Sequence, residues 1–206
     1  MMHPHTQVRF ISDEMGCGVF ATAFIPKGTI VYVKDELELE ITPEAYAELE
    51  PVLQERVEKY SYIDERGVRI VSWDHAKYVN HCCQCNSIST GYGFEIAIRD
   101  IQPGEEVTDE YGLFNLQWGM QLYCSQPGCR GCVSAEDFPV WGESWDEKAK
   151  NSLASLRLVD QPLLPLVDRE TRTALEAYLD GRGIYRSVFS LQRPLEPQLV
   201  PTRKRV

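Results

Sequence analysis

The first third of the chain consists of short apolar runs, and glycine or proline ends nearly every one of them. The runs VRFI, GVFATAFI and TIVYV are rich in β-branched and aromatic residues, which favour strands. Gly16, Gly18 and a turn from Pro26 to Gly28 separate these runs. The pattern predicts a mainly β body that is built from several small sheets.

One helical segment is predicted within this strand-rich part, between residues 42 and 60. Thr42 can cap its start, Pro43 suits the first helical turn, and Pro51 should kink or divide it. A hairpin with the strands YSYID and VRIVSW follows around a turn at Gly67, and FEIAIRDI alternates like a later strand.

The pattern becomes helical from about residue 134. Ser144 and Glu147 form a capping box that predicts a helix start. Three apolar residues of this helix share one face, namely Ala149, Leu153 and Leu156. Asp168 is expected to cap a second helix, which Gly181 should end. We therefore expect a helical C-terminal extension packed on the β body, followed by an extended tail over residues 190–206.

Length and cysteine content limit the class of protein. The chain has 206 residues, of which 43% are hydrophobic, so it can bury a single sizeable core. No apolar run approaches the ~20 residues of a membrane span, and the stretch MMHPHTQVRF lacks the apolar core of a signal peptide. We expect an intracellular protein, cytoplasmic or nuclear, without a membrane partner. Seven cysteines, an odd number, fit that expectation and indicate metal binding or reactive thiols.

The net charge argues against nucleic acid as a direct ligand. The formal charge is -10 and the pI is near 4.9, whereas binding to phosphates requires a concentrated basic face. A basic protein or peptide is an easier partner for an acidic surface, although such a surface can also serve solubility alone. The only basic cluster is Arg203 to Arg205, which is too small to indicate a nucleic-acid site.

Four segments carry a resemblance to a known family. In chain order they are GCGVFA, YVNHCCQCNS, AIRDIQPGEEVTDEYG and YCSQPGCRGC. Together they resemble a SET-domain protein lysine methyltransferase with a short post-SET zinc element, over roughly residues 7–132. The resemblance implies a β-clip fold of several small sheets around a knot-like segment. It also implies transfer of methyl groups from S-adenosylmethionine to lysines of a protein or peptide, such as a histone or another basic protein. The expected parts are the SET domain (1–118), the zinc element (119–133) and the helical extension (134–206).

The resemblance assigns cofactor binding to two of these segments. The family's loop at Gly16, Cys17 and Gly18 wraps S-adenosylmethionine through its backbone, and glycines let a backbone approach a ligand closely. An ordinary turn between strands would also explain this tripeptide. Asn80 and His81 match the family's asparagine–histidine pair, in which the asparagine bonds to the cofactor and the histidine packs against it without acting as a base. A buried pair that satisfies local backbone groups is the alternative.

The resemblance also assigns the residues that act on the substrate. Tyr111, in DEYG, matches the catalytic tyrosine, whose hydroxyl orients the amine and the methyl group. Tyr62 matches a tyrosine of the lysine channel, where an aromatic wall suits the apolar stem and the cationic head of lysine. Asp109 stands where the family usually has phenylalanine or tyrosine, and a carboxylate there would attract a cation. Taken alone, both tyrosines would also fit structural roles.

The remaining cysteines resemble a zinc site with a changed pattern. Four thiolates around Zn²⁺ need a closely spaced pair and two further cysteines that the fold brings in. Ser87 stands where the family has a ligand, and Cys85 is favoured over Cys83 as its replacement. The predicted ligands are Cys85, Cys124, Cys129 and Cys132. The alternative is that zinc has been lost and the cysteines are partly buried thiols.

Two other functions are compatible with parts of the sequence. Asp109 and the altered cysteine pattern would fit a catalytically silent SET-like module that binds a protein partner. Cys82 or Cys83 beside His81 could instead form a thiol nucleophile and its base. Neighbouring residues of an extended chain point to opposite faces, which argues against such a pair.

Overall fold

The structure, a computed structural model, describes residues 1–122 and 126–194, and this part contains twelve short strands and four helices. The strands are β1 (Thr6–Ser12), β2 (Gly16–Ala21), β3 (Ile30–Val33), β4 (Leu39–Ile41), β5 (Ser61–Ile63), β6 (Arg69–Val71), β7 (Asn80–His81), β8 (Ser87–Ser89), β9 (Phe94–Ala97), β10 (Glu106–Asp109), β11 (Met120–Gln121) and β12 (Cys132–Val133). The helices are α1 (Pro43–Ala47), α2 (Pro51–Tyr60), α3 (Asp137–Leu153) and α4 (Arg169–Leu179). Short 3₁₀ turns lie at His75–Tyr78, Tyr111–Leu113, Leu156–Leu158, Leu164–Leu166 and Val188–Leu191.

The strands form several small sheets, as the sequence predicts. One sheet has the order β1-β2-β10-β7, two have three strands in the orders β3-β9-β8 and β4-β6-β5, and β11 pairs with β12. β7 runs parallel to β10, whereas the pairs within the other sheets are antiparallel. Because β7 and β10 carry two of the resembling segments, this pairing joins residues that are far apart in sequence. A knot-like threading of this region stays a prediction.

Most of the predicted helix signals are confirmed. The Thr42 hydroxyl accepts a hydrogen bond from Ala45 N at 3.2 Å, and Pro51 begins a second helix after α1. The Asp168 carboxylate accepts from Thr171 N at 2.9 Å and caps α4. Gly181 follows α4 with a φ of +71°, in the left-handed conformation that glycine adopts easily.

The capping box at Ser144 and Glu147 is wrong, because α3 begins seven residues before Ser144, at Asp137, and both residues lie inside the helix. Phe138 and Trp145 are buried at 3% and 2% exposure, and they lie two turns apart on the face that also carries Ala149. Burial of these two rings stabilises the earlier turns more than a single cap can, since tertiary packing supplies most helical stability.

Two clusters of buried side chains form the core. The larger one joins the sheet β3-β9-β8 to the C-terminal helices, and it includes Ile30, Phe94, Ile96, Trp145, Leu153, Leu175 and Val188. The smaller one fills the space beside β2 and β10 and includes Val19, Ile25, Val31, Ile101 and Val107. The helical extension therefore packs on the β body, while the proposed boundaries at residues 118 and 133 stay predictions.

Two further expectations concern the C-terminal tail and membrane-spanning helices. Most of the predicted C-terminal tail lies outside the described residues, which end at 194. Each helix in the described ranges lacks either the length or the apolar character that crossing a membrane requires.

Candidate active site

Tyr111 lies at the start of a 3₁₀ turn directly after β10. The Glu110 carboxylate caps this turn by accepting from Gly112 N at 2.9 Å. The Tyr111 hydroxyl donates to the Val79 carbonyl at 2.5 Å, next to Asn80. Burial and the carboxyl of Asp109 raise the pKa of Tyr111, so the hydroxyl stays protonated and remains a donor.

An aromatic wall connects Tyr111 to Tyr62. The ring of Phe114 lies 5.1 Å from the ring of Tyr111 and 5.2 Å from that of Tyr62, centroid to centroid. We call these three residues the aromatic wall. Tyr62 thus lies where a channel residue is predicted. Phe114 is an addition that the sequence analysis missed, although its position three residues after Tyr111 in a 3₁₀ turn places the two side chains on one side.

Two cavities meet at this wall. The larger has a volume of about 810 Å³ and the smaller about 290 Å³. Four residues line both cavities, namely Tyr32, Tyr62, Glu95 and Phe114. Tyr111 and Val79 line the smaller one. The arrangement can hold two different molecules on the two sides of a few shared side chains.

The first three of the resembling segments come together beside β10. The Asn80 side-chain amide donates to Cys17 O at 3.1 Å and to Glu106 Oε1 at 2.8 Å. A Cβ on Gly18 would lie 2.5 Å from Glu106 Oε1 and 2.7 Å from Ile11 Cδ1, so a larger residue here would require these two side chains to move. Gly16, Cys17 and Gly18 begin β2 and pair with β1, and they do not form a free loop. Both donors of the Asn80 amide are used within the protein, so this side chain joins β2 to β7.

His81 is neutral and supports Tyr111. Its Nδ1 accepts a hydrogen bond from Tyr111 N at 3.2 Å, which leaves the proton on Nε2. Burial and the nearby Arg130 guanidinium lower the pKa of His81 to about 4. Nε2 lies 3.4 Å from the Cys83 sulfur. The geometric argument against a thiol–imidazole contact is therefore wrong, but a protonated Nε2 faces this thiol and cannot act as its base.

Asp109 is fully buried at the end of β10 and lines neither cavity. Its carboxyl lies close to that of Glu95, and burial together with their mutual repulsion raises the pKa of Glu95. The sequence analysis did not predict a role for Glu95. Its side chain alternates with those of Phe94 and Ile96 along the strand, and a charged residue in such a pattern typically faces solvent. Here that face borders the cavities.

The cysteines come together only in part. The sulfurs of Cys83 and Cys129 lie 3.9 Å apart, whereas Cys85 is buried and its thiol pKa is raised by burial and by Asp109. The contact with Cys129 is therefore made by the alternative, Cys83. Cys132 lies in β12, and Cys124 falls outside the described residues. Within residues 1–122 and 126–194, no three His, Cys, Asp or Glu side chains are grouped closely enough to hold a metal ion.

Comparison with known proteins shows that this region is similar to the SET domain. Residues 16–112 match the SET-domain family model, and the match includes Asn80, His81 and Tyr111. The Histone-lysine N-methyltransferase Set2 of Drosophila melanogaster is 28% identical over 160 residues, which cover 68% of this chain. The chain spans only about 6% of the length of that relative. The mixed, sheet-rich fold agrees with the fold class predicted from the sequence.

Two solved structures show a distant similarity to part of this chain. A predicted histone methyltransferase of Plasmodium falciparum is 18% identical, with a TM-score of 0.40, over 53% of this chain and 95% of that one. The methyltransferase domain of human Histone-lysine N-methyltransferase SETMAR is 19% identical, with a TM-score of 0.43, over 65% of this chain and 58% of that one. The identification of residues 16–112 relies on the family match rather than on these superpositions.

Proposed function

We propose that the protein transfers methyl groups from S-adenosylmethionine to lysine side chains of a protein substrate. The observation that carries this proposal is the Tyr111 hydroxyl, which is held on the Val79 carbonyl beside the wall where the two cavities meet. The match of residues 16–112 to the SET domain and the likeness to a histone-lysine methyltransferase support it. A histone or another basic protein is the expected class of substrate.

The residues on the side of Val79 fit the cofactor. The smaller cavity combines the Val79 backbone with the apolar side chains of Leu116 and Met120, which suits a nucleoside that carries an amino-acid tail. When bound, S-adenosylmethionine supplies an electrophilic methyl group on a sulfonium. Gly16 to Gly18 and Asn80 line neither cavity, and their backbone would hold the part of the cofactor that extends beyond the smaller one. The Asn80 side chain would contribute only its carbonyl oxygen, because its amide donors are already used. His81 contributes packing and keeps Tyr111 in place.

The aromatic wall is assigned to the lysine side chain. Its stem would pack along the wall formed by Tyr62 and Phe114, whose rings contact each other, and the rings attract the cationic head through their π faces. The Tyr111 hydroxyl is fixed by Val79 and therefore presents its oxygen lone pairs to the amine. This preorganisation supplies catalysis by positioning, with no covalent intermediate on the protein.

A zinc ion at the cysteine cluster is the second part of the proposal. Two thiolates that each lie ~2.3 Å from a tetrahedral Zn²⁺ are about 3.8 Å apart, and the observed separation of Cys83 and Cys129 is 3.9 Å. The other ligands would be Cys132 and Cys124. Metal analysis of the purified protein should find one zinc per chain, and Cys129→Ser should abolish it. A chain that is folded and free of zinc would overturn this part.

The methyl transfer is tested with labelled S-adenosylmethionine and a panel of histones and ribosomal proteins. We expect label on lysines of at least one protein and its near-complete loss in Tyr111→Phe, because removal of one positioned hydroxyl costs rate rather than cofactor affinity. Calorimetry should find the same cofactor affinity in both proteins. Cofactor affinity that falls together with rate would make Tyr111 structural. Absence of both label and cofactor binding would instead favour a silent interaction module.

A further inference from the structure

Glu95 of β9 lines both cavities, and it belongs to a row of three side chains on one face of the sheet β3-β9-β8. Tyr32 and Ser89 are the direct cross-strand partners of Glu95, and directly opposed residues share one face of a sheet. The register shifts between Ile30 and Tyr32, so Ile30 faces the core while Tyr32 lines the cavities beside Glu95. The Glu95 carboxyl therefore stands next to Tyr62 of the aromatic wall.

Asp109 supports this carboxyl from behind. Its Oδ1 accepts from Glu110 N at 2.7 Å, while its Oδ2 is buried and no hydrogen-bond donor of the described residues satisfies it. The carboxyls of Asp109 and Glu95 nevertheless face each other within hydrogen-bond reach. Two carboxylates repel, so this contact requires one proton between them. The pair then carries one negative charge and can accept a second proton.

This charge has no cationic side chain of its own. Two other acidic residues that line the larger cavity are paired, since Glu40 lies 2.6 Å from Lys34 Nζ and Asp64 lies 2.6 Å from Arg66 Nη2. No Lys, Arg or His of residues 1–122 or 126–194 forms an ion pair with Glu95 or Asp109. A buried charge without a partner is costly, so the site favours a cation that arrives from the cavity.

We propose that Glu95 contacts the amine of the substrate lysine and takes its proton before methyl transfer, with Asp109 as the residue that positions it. This inference rests on the proposed lysine methylation. An N–H bond of the ammonium breaks and its proton moves to the Glu95 carboxyl, the proton that the pair already shares passes to Asp109, and the electron pair stays on nitrogen for attack. The pair holds one proton before the step and two after it. Tyr111 orients the amine, and the acidic pair makes it nucleophilic.

The other titratable groups around the pair are tyrosines and carboxyls. The groups that face the pair are Tyr32 from β3, Tyr62 from β5, Cys85 from the loop before β8, and Glu110 and Tyr111 after β10, with the Met1 amine at longer range. Glu38 and Glu106 lie near these tyrosines. Burial raises the pKa of Tyr32, Tyr62 and Tyr111, which keeps their hydroxyls protonated. The acidic pair is therefore the group that can accept a proton near neutral pH.

The first experiment measures recognition without any methyl donor. The acetylated peptide Gly-Gly-Lys-Gly-Gly-amide and its norleucine counterpart, which lacks the amine, are titrated into the protein and followed by NMR. We expect the wild type to prefer lysine about tenfold or more and Glu95→Gln to lose this preference. Glu40→Gln, which changes a paired carboxylate of the same cavity, should keep it. A wild type without preference, or Glu95→Gln with an unchanged one, would overturn the proposal.

The second experiment measures the pH dependence of label transfer to the protein panel. At pH 7, Glu95→Gln should lower kcat/KM by roughly a hundredfold, the usual loss for a positioned proton acceptor. Its rate should approach that of the wild type near pH 10, where free lysine with a pKa of ~10.4 is partly neutral. Asp109→Asn should shift the pH profile to lower values, because Glu95 then loses its repelling neighbour.

The two experiments separate this inference from the proposed function. Label transfer by the wild type with an equal loss of rate in Glu95→Gln at every pH would make Glu95 structural and leave lysine methylation in place. Absence of label from wild type at any pH, with cofactor bound, would overturn both. Loss of cofactor affinity in Glu95→Gln would place the residue in a different role and would also contradict the inference.

Discussion

At the residue scale, the buried carboxyl of Asp109 makes the stability of the protein depend on pH. Burial raises the pKa of Asp109 above that of an unfolded aspartate, about 3.9. Between these two values the folded protein binds more protons than the unfolded chain. Its stability is therefore fully present below about pH 4 and falls as pH rises toward the folded value, by about 1.4 kcal/mol per pH unit for one proton.

Asp109→Asn should weaken this dependence and leave the part that comes from Glu95, whose pKa burial also raises. Its free energy of unfolding should exceed that of the wild type by a margin that grows between pH 5 and pH 7, because asparagine does not titrate. Denaturant unfolding at several pH values measures the margin, with Asp13→Asn in an exposed turn as the control. A constant difference between Asp109→Asn and wild type over this range would contradict the assigned pKa direction.

Local motifs predicted some residues of the site and failed for others. Asn80 and Tyr111 lie in short segments whose neighbours in sequence are also their neighbours in space, so a resemblance could locate them. Glu95 follows an alternating pattern that is the same on a solvent-facing strand, and only the packing around it makes its face a cavity wall. Cys83 and Cys85 differ by two positions, and only the fold decides which one reaches Cys129.

At the scale of elements, one aromatic residue of α3 packs against the turn that carries Tyr111. Trp145 is 2% exposed, packs edge-on against Phe138 at 5.7 Å, and also lies against Gly112 next to Tyr111. Trp145→Ala should destabilise the protein by about 3–5 kcal/mol through the cavity it leaves. Val140→Ala, at a position of the same helix that is 70% exposed, should change stability by less than about 0.5 kcal/mol. Equal effects in urea unfolding would contradict the packing of α3.

The hairpin of β11 and β12 is the element that depends on the proposed zinc. It is tied to the body by the Cys83–Cys129 contact and by Arg130, whose guanidinium lies 2.5 Å from the Glu110 carboxylate. A strong chelator should make residues 119–133 sensitive to proteases, and added zinc should restore their resistance. Resistance that is unchanged by the chelator would indicate that Arg130 and packing hold the hairpin without metal.

Element boundaries were predictable where a cap or proline determines them. Thr42, Pro51 and Asp168 influence only the backbone of residues near them in sequence. Their effect on helix boundaries can therefore be predicted from the sequence. The start of α3 is different, because it depends on the burial of Phe138 against residues that lie far away in the chain, such as Phe189 at 5.3 Å between ring centroids. The capping-box pattern at Ser144 and Glu147, inside that helix, therefore predicted the wrong helix start.

The whole molecule shares one larger core between its β body and its C-terminal helices. Phe94 and Ile96 of β9 lie in the same cluster as Leu153 of α3 and Leu175 of α4. A chain that ends at residue 133 should therefore fail to fold, because it exposes the β9 face that these helices cover. Loss of the near-ultraviolet circular dichroism signal and of amide protection would confirm this. A folded, cofactor-binding fragment would instead establish the SET domain as an independent unit.

The close approach of Trp145 to Gly112 also constrains how such proteins can diverge. A Cβ at position 112 would lie only 2.4 Å from the Trp145 ring, so neither residue can be exchanged freely while the other stays. Among descendants of this chain, a side chain at the first position should occur together with a smaller residue at the second. The two positions are expected to covary, which links the evolutionary drift of the C-terminal helices to the residue beside the active-site tyrosine.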